Sequence, residues 1–370
     1  MPPSHYDIPA VAWDGLAGRL ERVAIGVVRL DARLEASGLG PGWQSRCDLT
    51  EAVKALILDG ELVDLADLVL HDAGMDVRSP THELTRAAAA LRARRTVRAR
   101  PAPWPISIDG LSALRGGAGQ GSDPEKAPAR REDGEQDEEV LVADEDDDPM
   151  KAHLAEIDAL IERTSKVLAG ETPLPKSRSH LIYDLEKDEA ELEDAWLEVI
   201  QRTAEWPAVA AAAIAWDAWL ELGLYQRQPW LGLILAGAVL RARDLTTYLL
   251  PLAAGYRETD WRAKGRESPR EKIEGFCAVV EQAVALSHKD LDRLSLARDL
   301  MSRVTQECRR NSKLPELASL FLSRPLVTMP MASKILKVTP KAFDLMMAQL
   351  GGARPRELTG RSRYRAWGIV

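Results

Sequence analysis

The chain has 370 residues, 45% of them hydrophobic and 29% charged, with a formal net charge of −8, which is room for two or three domains with cores of their own. No stretch reaches the roughly 20 uninterrupted apolar residues of a membrane span, and no N-terminal segment has the basic start, apolar core and small-residue cleavage site of a secretory leader. Cys47, Cys277 and Cys308 are isolated and odd in number, which argues against disulfides and a cysteine metal site and for a reducing compartment. The expectation is a cytoplasmic, mainly α protein with no membrane partner, no metal and no cofactor.

From the N-terminus, Leu16, Leu20, Val23, Val27, Leu30 and Leu34 recur at helical spacing and predict an amphipathic helix that stops in Ser37-Gly38-Leu39-Gly40-Pro41-Gly42. Further helices are expected over 48–58 and 63–70, and from Thr81 to a cluster formed by Arg92, Arg94, Arg95, Arg98 and Arg100. Cations there suit the negative end of a helix dipole, the favoured reading, with nucleic-acid binding as the alternative. These helices make up an N-terminal region, 1–100. Residues 101–149 lose periodicity, with Pro, Gly and Ser followed by thirteen acids against three bases between Asp123 and Asp148. Such a tract cannot bury enough apolar surface to offset its ordering entropy, and is expected to be a disordered acidic linker. A third block, 150–312, predicts helices over 151–168, 186–203, 207–222, 232–243, 271–285 and 291–311. Its Trp196, Trp206, Trp216, Trp219 and Trp230 are first of all packing residues.

Residues 313–370 carry the clearest pattern, that of a winged helix-turn-helix. A first helix is expected over 327–336, a turn at Lys337-Val338-Thr339, and a second helix over 340–350 with Thr339 as N-cap and Pro340 at the first helical position. Phe343, Met346, Met347 and Leu350 share one face of that helix and predict its buried side, leaving Lys341, Asp344, Leu345, Ala348 and Gln349 outward. After Gly351-Gly352, two short runs flank Thr359-Gly360-Arg361-Ser362 as a β-hairpin wing, with Leu358, Tyr364 and Trp367 as expected anchors and Arg361, Arg363 and Arg365 pointing outward. The segment from Lys313 onward holds ten Lys and Arg against three Asp and Glu. A basic module on an acidic chain is the electrostatic footprint expected for double-stranded DNA. The expected DNA-contacting residues are Lys337, Thr339, Lys341, Leu345, Gln349, Arg361, Arg363 and Arg365. A winged helix that serves only packing or dimerisation is the alternative.

Glu51-Ala52-Val53-Lys54-Ala55-Leu56-Ile57-Leu58-Asp59-Gly60 resembles the inhibitory helix of the Fic family of nucleotidyl transferases, and residues 207–240 resemble that family's helix-loop-helix core. The family's catalytic loop, His-Pro-Phe-x-Asp/Glu-Gly-Asn-Gly-Arg, has as its counterpart Gly223-Leu224-Tyr225-Gln226-Arg227-Gln228-Pro229-Trp230-Leu231-Gly232. The general base, the metal-holding acid and the phosphate-binding glycines are all missing, so this resemblance implies a Fic-like body without the catalytic motif. Over nearly its whole length the chain is similar to a bacterial family described as a domain of unknown function followed by a C-terminal helix-turn-helix. The segments that carry this are Leu58-Asp59-Gly60-Glu61-Leu62-Val63, Asp67-Leu68-Val69-Leu70-His71-Asp72-Ala73, Pro80-Thr81-His82-Glu83-Leu84-Thr85-Arg86, and Thr359-Gly360-Arg361 to Trp367-Gly368. That resemblance implies DNA binding. The resulting expectation is a DNA-binding regulator whose helical body serves oligomerisation or sensing, with homo-oligomers admitted. The competing expectations are a nucleotide transfer carried by Tyr225, Arg227, Asp217 and Glu221, and a protein interaction module.

Overall fold

The computed structural model describes residues 5–75, 79–116, 189–263, 267–306, 308–309, 312–358 and 365–369, which fold into thirteen α-helices and one three-stranded antiparallel sheet. The first helix, α1 (Ala17–Ser37), buries Leu20, Val23, Val27, Leu30 and Leu34, the stripe that its periodicity predicts. It ends on Gly38 at φ +66°, a left-handed cap that costs glycine little. The next helix, α2 (Gly40–Leu58), starts inside the Gly-Pro-Gly segment that reads as a loop, because Pro41 sits in its first turn, where no N–H is needed. Asp64 caps α3 (Leu65–Asp72) and Thr81 caps α4 (His82–Ala99) through side-chain oxygens.

The first part of the region assigned to a linker is folded. Residues 104–106 form a 3₁₀ turn and α5 (Ile108–Gly116) follows, with Pro105, Leu111 and Leu114 buried. A short helix bounded by Pro and Gly carries too few apolar residues for periodicity to reveal it. The acidic tract and the expected helix at 151–168 lie outside the described residues.

The chain is next described at α6 (Glu189–Arg202), α7 (Ala208–Leu222) and α8 (Leu231–Ala242). The last two are apolar nearly all round and lie in the core, as such helices must. Trp196 and Trp219 meet edge to face with centroids 5.6 Å apart, and the Trp196 indole N–H donates to the Ala215 carbonyl at 2.8 Å. A seven-residue helix, α9 (Leu252–Glu258), leads to α10 (Pro269–Thr305), opened by a reciprocal capping box between Ser268 and Glu271. Two helices expected over 271–285 and 291–311 are thus one. The run Ser287-His288-Lys289-Asp290 imitates a break, yet Ser287 is buried within the helix, its hydroxyl satisfied by the Ala283 carbonyl at 2.6 Å.

The N-terminal helices and the 189–305 helices form one body, since α1 packs along α10, α2 against α4 and α9, and α4 against α8. A buried ionic network fastens them. Arg94, 1% exposed, directs its guanidinium to Asp48 Oδ1 at 3.1 Å and to the Leu249 and Leu250 carbonyls at 2.6 and 3.3 Å. Glu51 accepts the N–H groups of Ala253 and Ala254 at 3.0 and 2.7 Å, so it closes the N-terminus of α9. Burial pushes the Glu51 carboxyl upward, against the opposing pull of Arg94 and these two N–H groups. No helix among the described residues is long and apolar enough to cross a membrane.

Candidate nucleic-acid interface

The C-terminal part begins with α11 (Leu314–Ser323), which packs on α2 and α10 and was not foreseen as a separate helix. It leads into β1 (Val327–Thr328), a strand too short to read from sequence. Thr328 then caps α12 (Met329–Leu336), accepting the Met331 N–H. Lys337 follows in the left-handed region at φ +56° and ψ 47°, and its N–H bonds back to the Ser333 carbonyl. A non-glycine residue there costs roughly 1 kcal/mol, and what the strain secures is the sharp turn. Thr339 caps α13 (Pro340–Leu350), its hydroxyl oxygen accepting the Ala342 N–H at 3.2 Å. Phe343, Met346, Met347 and Leu350 are buried, and Phe343 packs at 5.4 Å from Trp367 on the sheet.

The sheet runs β1-β3-β2, where β2 is Arg356–Glu357 and β3 is Ala366–Gly368. Val327 pairs with Trp367, and Arg356 with Gly368, so the hairpin is tied to the strand that enters the helix-turn-helix. Trp367 is the buried anchor expected of it, whereas Leu358 is 40% exposed. Leu358 sits past the end of β2, with its side chain beside Gly368 of β3.

This architecture leaves Lys337, Thr339, Lys341, Asp344, Leu345, Ala348 and Gln349 exposed on one side of the turn and α13. Of the expected contact residues, Lys337, Thr339, Lys341, Leu345 and Gln349 are therefore brought together. Thr339 has a local duty as the helix cap, which keeps its hydroxyl at the start of α13. Arg361, Arg363 and Tyr364 lie outside the described residues. Arg365 is exposed but engaged: its guanidinium forms a two-point ion pair with Glu357, with Nε 2.9 Å from Oε1, and stacks 5.3 Å above the Trp367 ring. That bond holds the Glu357 carboxyl below its ordinary range and raises the Arg365 guanidinium further, with Asp344 adding to the field. Sequence reasoning missed this pairing, and it also passed over Arg354 and Arg356, both exposed beside the wing. Alternation places Arg356 opposite the buried side of the strand, a signal that the shortness of β2 conceals.

The winged part is joined firmly to the body. Arg46 of α2 donates to the carbonyls of Phe321, Arg324 and Ile369 at 3.2, 2.5 and 2.9 Å. The first two lie at the end of α11, where a cation meets the negative pole of the helix. Asp72 receives both Arg95, at 2.5 Å, and Arg324, at 3.1 Å, and Lys334 donates to the Ala73 and Gly74 carbonyls. The two arginines hold the Asp72 carboxyl below the usual range although partial burial opposes them.

In the loop compared with the Fic catalytic segment, Tyr225 is buried at φ +44° and donates to Glu193 at 2.7 Å. Burial and that carboxylate raise its hydroxyl pKa strongly. Asp217 accepts from Tyr6 and pairs with Lys272 at 2.7 Å, and the Arg227 carbonyl accepts from Arg86. Tyr225 and Asp217 thus each have structural partners of their own.

Two family models match the chain. One, described as protein of unknown function (DUF1612), matches residues 181–306, and one described as HTH DNA binding domain matches residues 314–370. The uncharacterized protein y4cF of Sinorhizobium fredii is 37% identical over 389 residues, covering 99% of this chain and 100% of that protein.

Proposed function

The chain belongs to the family of Sinorhizobium fredii y4cF and carries a DUF1612 segment ahead of a helix-turn-helix DNA-binding domain, and from this premise we propose that it is a transcriptional regulator that reads duplex DNA with α13. The observation that carries the reading is the division of α13 into a buried apolar side and an outward side bearing Lys341, Leu345 and Gln349, placed directly after a capped turn that presents Lys337. A helix so placed enters a major groove with its N-terminal residues toward the base edges. Lysines at its start, Arg361 and Arg363 of the wing, and Arg354 and Arg356 meet phosphates, while Arg365 is held by Glu357.

The body is proposed to sense or oligomerise, acting in the cytoplasm alongside the DNA. It is read as a Fic-like fold without activity, and the engagement of Tyr225 with Glu193 and of Asp217 with Tyr6 and Lys272 supports that over a nucleotide transfer. Arg46, Asp72 and Lys334 supply the couplings through which a change in the body would reach the winged part.

The test is selection of duplexes from a random pool by the full-length chain, with mapping of bound DNA in cells. Enrichment of one motif, found also upstream of genes, is expected. Failure to enrich any sequence while a stoichiometric protein partner is retained would replace this reading with that of an interaction module.

A further inference from the structure

Leu345 is 59% exposed although the winged part has a well-formed apolar core. The residues of α13 that fill that core are Phe343, Met346, Met347 and Leu350, and Leu345 stands off their periodicity. It lies at the centre of the outward face, one turn from both Lys341 and Gln349 and beside the small Ala348. A scattered surface leucine needs no explanation; this one sits where a groove-reading helix makes its contacts. Next to it, Asp344 is exposed on the same helix, in a segment with only two other acids. A carboxylate repels phosphates, so its place on this face works against general DNA affinity.

The major groove offers one apolar group, the thymine methyl, and exocyclic amines as donors on cytosine and adenine. Adenine carries its amine beside N7, an acceptor that repels a carboxylate, whereas the cytosine amine is flanked by a C–H. Leucine and aspartate at adjacent positions therefore match the two pyrimidines. Resting on the reading of α13 as the groove-facing helix, we propose that Leu345 packs on a thymine methyl and Asp344 accepts from a neighbouring cytosine amine, so that this helix selects a pyrimidine step. Asp344 then lowers affinity for unrelated DNA and raises discrimination, which is selection by exclusion as much as by attraction.

The experiment uses the full chain and its selected duplex, with each thymine replaced singly by uracil, which removes only the methyl. Wild type is expected to bind about fourfold more weakly at one such position, the equivalent of one buried methyl. Leu345→Ala should be indifferent to the same replacement. Asp344→Ala should lose preference for cytosine at the adjoining position and bind unrelated duplexes more tightly. Both side chains are exposed, so the variants should keep the wild-type circular dichroism. Specific binding with no uracil effect at any position, or an equal effect in Leu345→Ala, would overturn the methyl contact while leaving α13 as a DNA reader. An unchanged sequence profile in Asp344→Ala would overturn the cytosine contact. Absence of binding to any duplex would overturn the underlying reading along with it.

Discussion

The helical body and the winged part use charge in opposite ways. In the body, Arg94, Asp48 and Glu51 are buried and directed at one another or at backbone groups, and Glu193 holds Tyr225. In the winged part, Lys337, Lys341, Arg354 and Arg356 remain exposed, and Arg365 is paired with Glu357. A buried ion is committed to the fold, because removing its partner strands a charge in a poor solvent. An exposed cation contributes little to stability and stays available to a polyanion. The contrast teaches that substitutions in the first set should be felt as stability and in the second as binding.

The largest effect should come from Arg94→Met. It leaves Asp48 to Arg98 at 3.0 Å and Glu51 to the Ala253 and Ala254 N–H groups, and should cost about 3 kcal/mol, read by denaturant unfolding, while the fraction that remains folded binds DNA like wild type. A loss below about 1 kcal/mol would break the contrast from the body's side.

A second effect tests the body through pH. Burial raises the Asp59 carboxyl to about 7, with Arg86 at 3.5 Å opposing the rise. The unfolded chain has an ordinary aspartate near 3.9, so between these values the folded state holds the extra proton. Stability should therefore fall as pH rises from about 4 to about 7, with a slope of at most about 1.4 kcal/mol per unit from this group. Asp59→Asn should flatten that part of the profile, and an unchanged profile would remove Asp59 as its source.

Smaller changes belong to the winged part. Thr339→Ala removes the cap of α13 and should cost about 1 kcal/mol, with Thr339→Ser restoring it in thermal unfolding. Glu357→Gln releases Arg365 to a phosphate. It should change stability by less than about 1 kcal/mol, yet steepen the dependence of binding on salt by about one contact. A Glu357→Gln protein that binds as wild type would show that Arg365 faces away from the duplex.

The sequence discloses the helix-turn-helix because its signals are local. Thr339-Pro340 marks a start, and the apolar spacing of α13 separates its faces without reference to any other element. The body yields less. α10 runs unbroken through Ser287, a polar residue that packing from elements distant in sequence buries, and α5 is held by burial of Leu111 and Leu114 in surroundings that its own composition does not announce. The pairing of Arg365 with Glu357 arises from strand register, and the seating of Lys334 on the carbonyls after α3 from docking of two remote segments. Neither can be read from spacing along the chain.

The most direct measurement of the central claim is the affinity of the full chain for its selected duplex across salt concentrations, beside a Lys337→Gly, Lys341→Ala double variant. Glycine at 337 relieves the positive-φ strain, so the variant should be at least as stable as wild type. Wild-type affinity should fall steeply and linearly on logarithmic axes, and the variant's slope should be shallower by about two, one phosphate contact for each lysine. Affinity independent of salt, or identical slopes for the two proteins, would contradict the assignment of this face to DNA.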